Sequence, residues 1–205
     1  MKLAALILAG GRSQRMGRDK ALLEIGGVPL LRRTWEVARS LTPEVKIVTP
    51  RRDRYQPYLP IDAQWIEESP PPEPSSPAGP LAAFAQALTQ VEADWVLLLA
   101  CDLPNLHPDP VNQWCQSLSQ LPTAAIAYVP KTAQGWDPLC GLYRSPCLTS
   151  LQAYLATGQR SFQAWLDQSE VVPILNVPVD LLANCNTPAD WQRWQPAPPS
   201  PPRRG

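Results

Sequence analysis

One short segment near the start of the chain, Leu8-Ala9-Gly10-Gly11-Arg12-Ser13-Gln14-Arg15-Met16-Gly17-Arg18-Asp19-Lys20, gathers the groups needed to hold a polyphosphate. Adjacent glycines let the backbone approach an anion without a Cβ clash. Consecutive backbone N–H groups in such a turn cradle phosphate oxygens. Arg15 can fork onto a phosphate, and Lys20 adds a compact positive charge. The chain has only four lysines, so one at this point is notable. The spacing matches neither G-x-x-x-x-G-K-[ST] nor G-x-G-x-x-G, the two commoner phosphate loops. A second candidate is Asp102, which follows the apolar run Trp95–Cys101. Mg²⁺ typically takes one or two carboxylates and completes its shell with water and phosphate oxygens. An aspartate in this place is also a common turn former.

These residues need a scaffold that brings them to one edge, and the hydrophobic pattern supplies one. Short apolar runs at Leu3–Ala9, Val45–Thr49, Gln64–Glu67, Trp95–Cys101 and Ala124–Val129 read as strands, most of them covered on both faces. Leu30–Ser40, Leu81–Val91 and Val111–Leu118 show helical spacing. Alternation of this kind predicts an α/β fold, a single doubly wound, mostly parallel sheet with helices on both faces. Right-handed crossovers then place the loops after the strands along one edge, where such sheets bind ligands. Gly10 and Asp102 both fall on that edge.

The chain has 205 residues, 44% apolar and 18% charged, which suits one domain with a buried core. Basic and acidic residues balance at 18 each, which argues against nonspecific nucleic-acid binding. The balance hides a polarity: residues 1–60 carry a net charge of +7 and the remainder −7. A basic first third suits a polyanionic small substrate such as a nucleoside triphosphate. The single histidine, His107, argues against histidine metal sites and Ser-His-Asp chemistry. Five cysteines without a CxxC pair fit neither a metal knuckle nor a disulfide framework. They read as reduced thiols, and the expected compartment is the cytoplasm. Met1-Lys2 followed by Leu3–Ala9 is too short for a signal segment, and no run approaches the roughly 18 apolar residues of a membrane span. Proline is the outlier at 26 residues, with six from Pro70 to Pro80 and five from Pro196 to Pro202. These mark a surface loop over 69–80 and a disordered tail over 196–205, leaving residues 1–195 as the domain.

The loop Leu8-Ala9-Gly10-Gly11-x-Ser13-x-Arg15-Met16-Gly17-x-Asp19-Lys20 resembles the signature of the molybdenum cofactor guanylyltransferases, within the nucleotidyltransferases. The resemblance continues through Gly79-Pro80-Leu81, Cys101-Asp102-x-Pro104, Pro138-Leu139 and Asn184-x-Asn186-Thr187-Pro188, over roughly residues 3–195. The Gly-Gly form of the loop favours guanylyl over cytidylyl transfer, whose enzymes often carry Ala-Ala-Gly. The resemblance implies a Rossmann-like nucleotidyltransferase fold and Mg²⁺ as cofactor. It also implies the reaction: the terminal phosphate of molybdenum-bound molybdopterin attacks the α-phosphorus of GTP and pyrophosphate leaves. The nucleophile is already anionic, so no general base is required.

Matched position by position, the resemblance assigns Arg15, Lys20 and Asp102 to catalysis and Asp102 to the metal. It assigns Leu8, Ala9, Gly10, Gly11, Lys20, Glu68, Gly79 and Asp102 to the nucleotide. Asn184 and Asn186 go to the metal or the molybdopterin side, though turn geometry explains them as well. Trp136-Asp137-Pro138-Leu139 offers an aromatic wall for a flat pterin. Asp19 is expected to orient the loop or pair with a neighbouring arginine. Three positions depart from the family pattern on the base side. Glu68 stands where a shorter acid is usual, Thr49 where asparagine is common, and Ala83 replaces a glycine. A reactive cofactor implies transient, direct contact with the proteins that deliver molybdopterin and accept the product; no nucleic acid and no membrane are expected. The alternatives are a cytidylyl- or sugar-nucleotidyltransferase with the same loop, or a non-catalytic nucleotide-binding docking protein.

Overall fold

The computed structural model describes residues 1–10, 19–69, 79–178, 180–183, 185 and 188–194. The elements begin with β1 (Leu3–Leu8), a hairpin of β2 (Glu24–Ile25) and β3 (Val28–Pro29), α1 (Leu30–Leu41) and β4 (Val45–Thr49). Then come α2 (Arg52–Tyr55), β5 (Gln64–Glu67), α3 (Gly79–Leu88), β6 (Trp95–Ala100) and α4 (Pro108–Ser117). The last part holds β7 (Ala127–Thr132), β8 (Gly135–Trp136), β9 (Cys140–Arg144), α5 (Cys147–Ala156), α6 (Phe162–Asp167), β10 (Val171–Ile174) and α7 (Pro188–Trp194).

Eight strands form the main sheet in the order β10-β7-β9-β6-β1-β4-β5, with β8 paired to β7. Strands β6, β1, β4 and β5 run parallel, as do β7 and β10. The exceptions are β9, antiparallel to both neighbours, β6 and β7, and the short β8, antiparallel to β7. Strand alternation divides the core. On one face Ala5, Ile7, Leu97 and Leu99 pack with Leu31 and Trp35 of α1 and Val111 and Trp114 of α4. On the other, Leu6, Val96 and Leu98 pack with Leu81 and Phe84 of α3, Leu151 of α5 and Trp165 of α6. Period-two alternation therefore reaches two separate cores from one strand, which is why β1 and β6 read as unbroken apolar runs. Each fully buried leucine in them contributes roughly 1.5–3 kcal/mol. No helix among the described residues is long and apolar enough to cross a membrane.

The predicted sheet with helices on both faces is the observed architecture, and several boundaries move. The strand expected at Ala124–Val129 starts at Ala127 and runs on to Thr132. The helix expected from Leu81 begins at Gly79, and the one expected from Val111 begins at Pro108, with His107 as its N-cap. Proline in the first turn explains both earlier starts, because its missing N–H is not needed there. Residues 70–78 and 195–205, where the proline loop and tail were expected, lie outside the described residues.

Candidate active site

Register places the ends of four parallel strands side by side. Leu8 lies opposite both Val48 and Ala100, and Thr49 opposite Glu67. Two backbone bonds extend the pairing past the strands, from Ala9 N to Val48 O (2.9 Å) and from Glu68 N to Thr49 O (3.2 Å). Gly10, Glu68 and Asp102 thus emerge from β1, β5 and β6 along one edge. Between them opens a cavity of about 320 Å³, reached by Leu8, Ala9, Gly10, Lys20, Glu68, Gly79 and Asp102. Every nucleotide-side residue expected from the sequence is on that wall except Gly11, which, like Arg15, Asn184 and Asn186, lies outside the described residues.

The corner expected to take metal and phosphate is built from distant segments. The Lys20 ammonium stands 3.2 Å from an Asp102 carboxylate oxygen, across 82 residues of sequence. Both side chains are about four-fifths shielded. The backbone carbonyl of Asp102 accepts a bond from Cys185 N (3.1 Å), which fastens the C-terminal segment beneath this corner. Cys185 itself packs with Leu23 and Leu30. Cys101 lines the cavity beside Asp102, but burial and the charges of Asp102 and Asp19 push its thiol far up, so it stays protonated and inert.

Asp19 pairs with arginines, as the sequence reading allowed, but across the fold rather than along the loop. Its Oδ2 accepts from Arg54 Nε (2.9 Å) and from the Tyr55 hydroxyl (2.9 Å), and Arg51 lies 3.7 Å away. Tyr55 also lines the cavity, and sequence reading gave it no role. The available signal was an aromatic closing the basic run Arg51-Arg52-Asp53-Arg54, directly after a strand that ends on the ligand edge.

The corner expected to take the base is sparser. A Cβ added to Gly10 would stand 2.9 Å from Glu68 Oε2 and 3.2 Å from Pro50 Cδ, so the missing side chain gives the carboxylate its place. Gly79 opens α3 with φ +43°, a left-handed value that favours glycine. Burial raises the Glu68 pKa above the usual glutamate value. Among the described residues its carboxylate has no hydrogen-bond or ion-pair partner, leaving both oxygens able to accept bonds from a ligand. Thr49, fully buried, turns its hydroxyl to Arg51 N (3.1 Å) and supports the turn into α2 instead of the cavity. Ala83 does reach the cavity wall with its methyl.

Of Trp136-Asp137-Pro138-Leu139, Leu139 alone lines this cavity. The Trp136 indole is buried, donates to Asp167 (2.8 Å) and carries Lys131 over its ring at 4.2 Å. Leu139 arrives because β9 runs backwards: the start of an antiparallel strand lies at the ends of its parallel neighbours, with Ala100 N donating to Leu139 O (2.7 Å).

Among the described residues no group of three or more His, Cys, Asp or Glu is arranged to hold a metal. Of the three carboxylates on the wall, Asp102, beside Lys20, fits Mg²⁺ that completes its shell with phosphate oxygens and water. It does not fit a structural ion.

The comparisons with known proteins agree with this geometry. A family model described as a MobA-like NTP transferase domain matches residues 5–172. A probable molybdenum cofactor guanylyltransferase of Synechococcus elongatus is 48% identical over 95% of this chain and 99% of its own length. The chain belongs to the molybdenum cofactor guanylyltransferase family. A further member, from Pseudomonas syringae pv. syringae, is 32% identical over 89% of this chain and 88% of its own. Among solved structures, molybdopterin-guanine dinucleotide biosynthesis protein A from Archaeoglobus fulgidus superposes with a TM-score of 0.74. It covers 93% of this chain and 96% of its own at 19% identity, which supports the shared nucleotidyltransferase fold. Membership in this family and the cavity at the sheet edge agree on a nucleotidyltransferase.

Proposed function

We propose that the cavity binds GTP with Mg²⁺ and directs its α-phosphorus toward molybdenum-bound molybdopterin. The protein is a molybdenum cofactor guanylyltransferase and forms molybdopterin guanine dinucleotide. One observation carries the assignment of its parts: Lys20 and Asp102, 82 residues apart, meet at 3.2 Å on a wall shared with Gly10 and Glu68.

The guanine lies toward Glu68, whose carboxylate accepts from N1–H and from the exocyclic amine, a pair of donors that adenine lacks. The Leu8-Ala9-Gly10-Gly11 backbone carries the nucleotide, and Arg15 and Lys20 face phosphate charge. A terminal phosphate oxygen of molybdopterin attacks the α-phosphorus. As that bond forms, the bond to the bridging oxygen breaks and the electron pair leaves with pyrophosphate. The attacking oxygen is already ionised, so the chain's work is alignment and charge neutralisation. Mg²⁺ held by Asp102 would supply Lewis acidity at the phosphoryl oxygens. Lys20, paired with Asp102 before substrate enters, lies within reach of the same oxygens. Asn184 and Asn186 belong to the molybdopterin side. Free thiols at all five cysteines suit a reducing compartment, the cytoplasm. Transfer of so reactive a product proceeds by transient contact with the proteins that deliver molybdopterin and receive the cofactor.

The test is pyrophosphate release by purified protein with Mg²⁺ and molybdenum-loaded molybdopterin, supplied with each of the four nucleoside triphosphates in turn. Turnover is expected with GTP. Turnover with CTP alone would replace the guanylyl reading of the base corner, and GTP binding without turnover would favour a docking protein.

A further inference from the structure

The mechanism above gives no part to Tyr55 or Asp19, yet both line the cavity and are bonded to each other. We infer that Tyr55 and Asp19 form a positioning unit that sets the Lys20 ammonium for transfer, an inference that rests on Lys20 facing phosphate charge.

Asp19 immediately precedes Lys20 and uses both carboxylate oxygens. Oδ1 accepts from Ala21 N (3.2 Å) and so caps the single 3-10 turn Lys20–Leu22. The backbone closes the same turn, with Leu22 N donating to Asp19 O and Leu23 N to Lys20 O (3.1 Å each). Oδ2 faces α2, where it meets the Tyr55 hydroxyl and the two arginines. One carboxylate, 8% exposed, therefore ties the root of the lysine to the helix that follows β4. Lysine needs such a root, because its ammonium rides on four rotatable carbons.

The partners of Oδ2 are unequal. Arg54 and Arg51 are 50% and 38% exposed, so water screens their ends of the pairs with Asp19. Tyr55 is 2% exposed, so its bond is shielded. Burial and the charge of Asp19 hold its phenol well above the usual tyrosine pKa. Tyr55 is thus a neutral donor, and it is the partner of Asp19 that water does not reach.

The experiment measures kcat and KM for GTP in Tyr55→Phe, in the wild-type and Lys20→Met backgrounds, alongside the unfolding midpoint. Tyr55→Phe removes one oxygen and leaves the ring packing intact. It is expected to lower kcat about tenfold while KM changes less than about threefold, the pattern of an interaction realised in the transition state. In the Lys20→Met background the same change is expected to cost nothing further, because residues acting through one group are not additive. Asp19→Asn is expected to behave in the same way, and carries the test if Tyr55→Phe unfolds. Wild-type kcat in both variants, or losses that multiply with Lys20→Met, would overturn the positioning unit. Full activity in Lys20→Met alone would instead overturn the role given to Lys20.

Discussion

The two corners of the cavity are built in opposite ways. At the phosphate corner charges already meet charges: Lys20 faces Asp102, and Asp19 takes Arg54, Arg51 and the Tyr55 hydroxyl. At the base corner a single carboxylate, Glu68, stands half buried without a partner among the described residues, above a glycine that makes room for it. A site that neutralises developing charge works best when its groups are oriented before substrate arrives. A site that reads a base needs acceptors left open, and the raised pKa of Glu68 records the desolvation that goes with keeping them open. Damage at the first corner should appear in kcat, and damage at the second in nucleotide choice.

The largest effect belongs to the phosphate corner. Asp102→Ala and Lys20→Met should each reduce turnover by about 10²–10³-fold, the usual loss when one preorganised charged group is removed. Pyrophosphate release measures this, with circular dichroism to show that the fold is intact. Near-wild-type turnover in either variant would remove that residue from the mechanism. Asp102→Ala also leaves the Lys20 ammonium without its carboxylate, so the pair is better dissected by a double-mutant cycle than by single losses.

The next effect is at the base corner. Glu68→Gln replaces one acceptor oxygen with a donor that opposes the guanine N–H groups. Hydrogen bonds to a charged group are worth about 1.5–3 kcal/mol, so KM for GTP should rise on the order of 10- to 100-fold with kcat changed far less. Preference for GTP over ATP should narrow by the same factor, measured as a ratio of kcat/KM. An unchanged ratio would move guanine recognition elsewhere on the wall.

The two corners also differ in how far the residues alone reveal them. The Leu8–Lys20 segment and Asp102 leave turn-forming uses open as residues alone, and it is the order of motifs in the family resemblance that singles them out; strand ends Leu8 and Ala100 pair in the register that brings the two segments together. Strands at Val45–Thr49 and Gln64–Glu67 were readable to the residue because both ends are marked by turn formers. What stayed hidden depends on tertiary approach. Strand β9, Cys-Gly-Leu-Tyr-Arg, holds a glycine and an arginine and does not stand out as an apolar run, so the strand itself, its reversed direction and the arrival of Leu139 at the cavity have no local signature. Tyr55 reads as an ordinary core aromatic until α2 is placed over Asp19. Trp136 reads as an aromatic wall until its indole is found bonded to Asp167.

A smaller effect tests the space at Gly10. An alanine Cβ there would stand 2.9 Å from Glu68 Oε2, the movable end of a side chain, and 3.2 Å from a proline ring. Gly10→Ala should therefore displace the carboxylate more than the backbone, raising KM for GTP several-fold. In a Glu68→Ala background the same substitution should cost less, since the closest obstacle is gone. Equal losses in the two backgrounds would mean that Gly10 serves phosphate rather than the Glu68 carboxylate.

The smallest effect is on pH, and its two readouts run in opposite directions. Burial raises the Glu68 pKa in the folded protein above its value in the unfolded chain. The folded state therefore holds this proton more tightly. The stability it contributes is fully present below the ordinary glutamate pKa and is lost as pH rises through the folded value. At neutral pH the carboxylate is charged and partly desolvated, so ligand-free Glu68→Gln should melt slightly above the wild type. That advantage should shrink as pH falls through the Glu68 titration. Guanine needs the charged form as acceptor, so over the same interval KM for GTP in the wild type should rise as pH falls. In Glu68→Gln it should stay flat. Thermal melts and initial rates on one buffer series separate the two. If the wild type and Glu68→Gln show the same KM profile, the titrating group is not Glu68, and the open carboxylate of the base corner does not read the base.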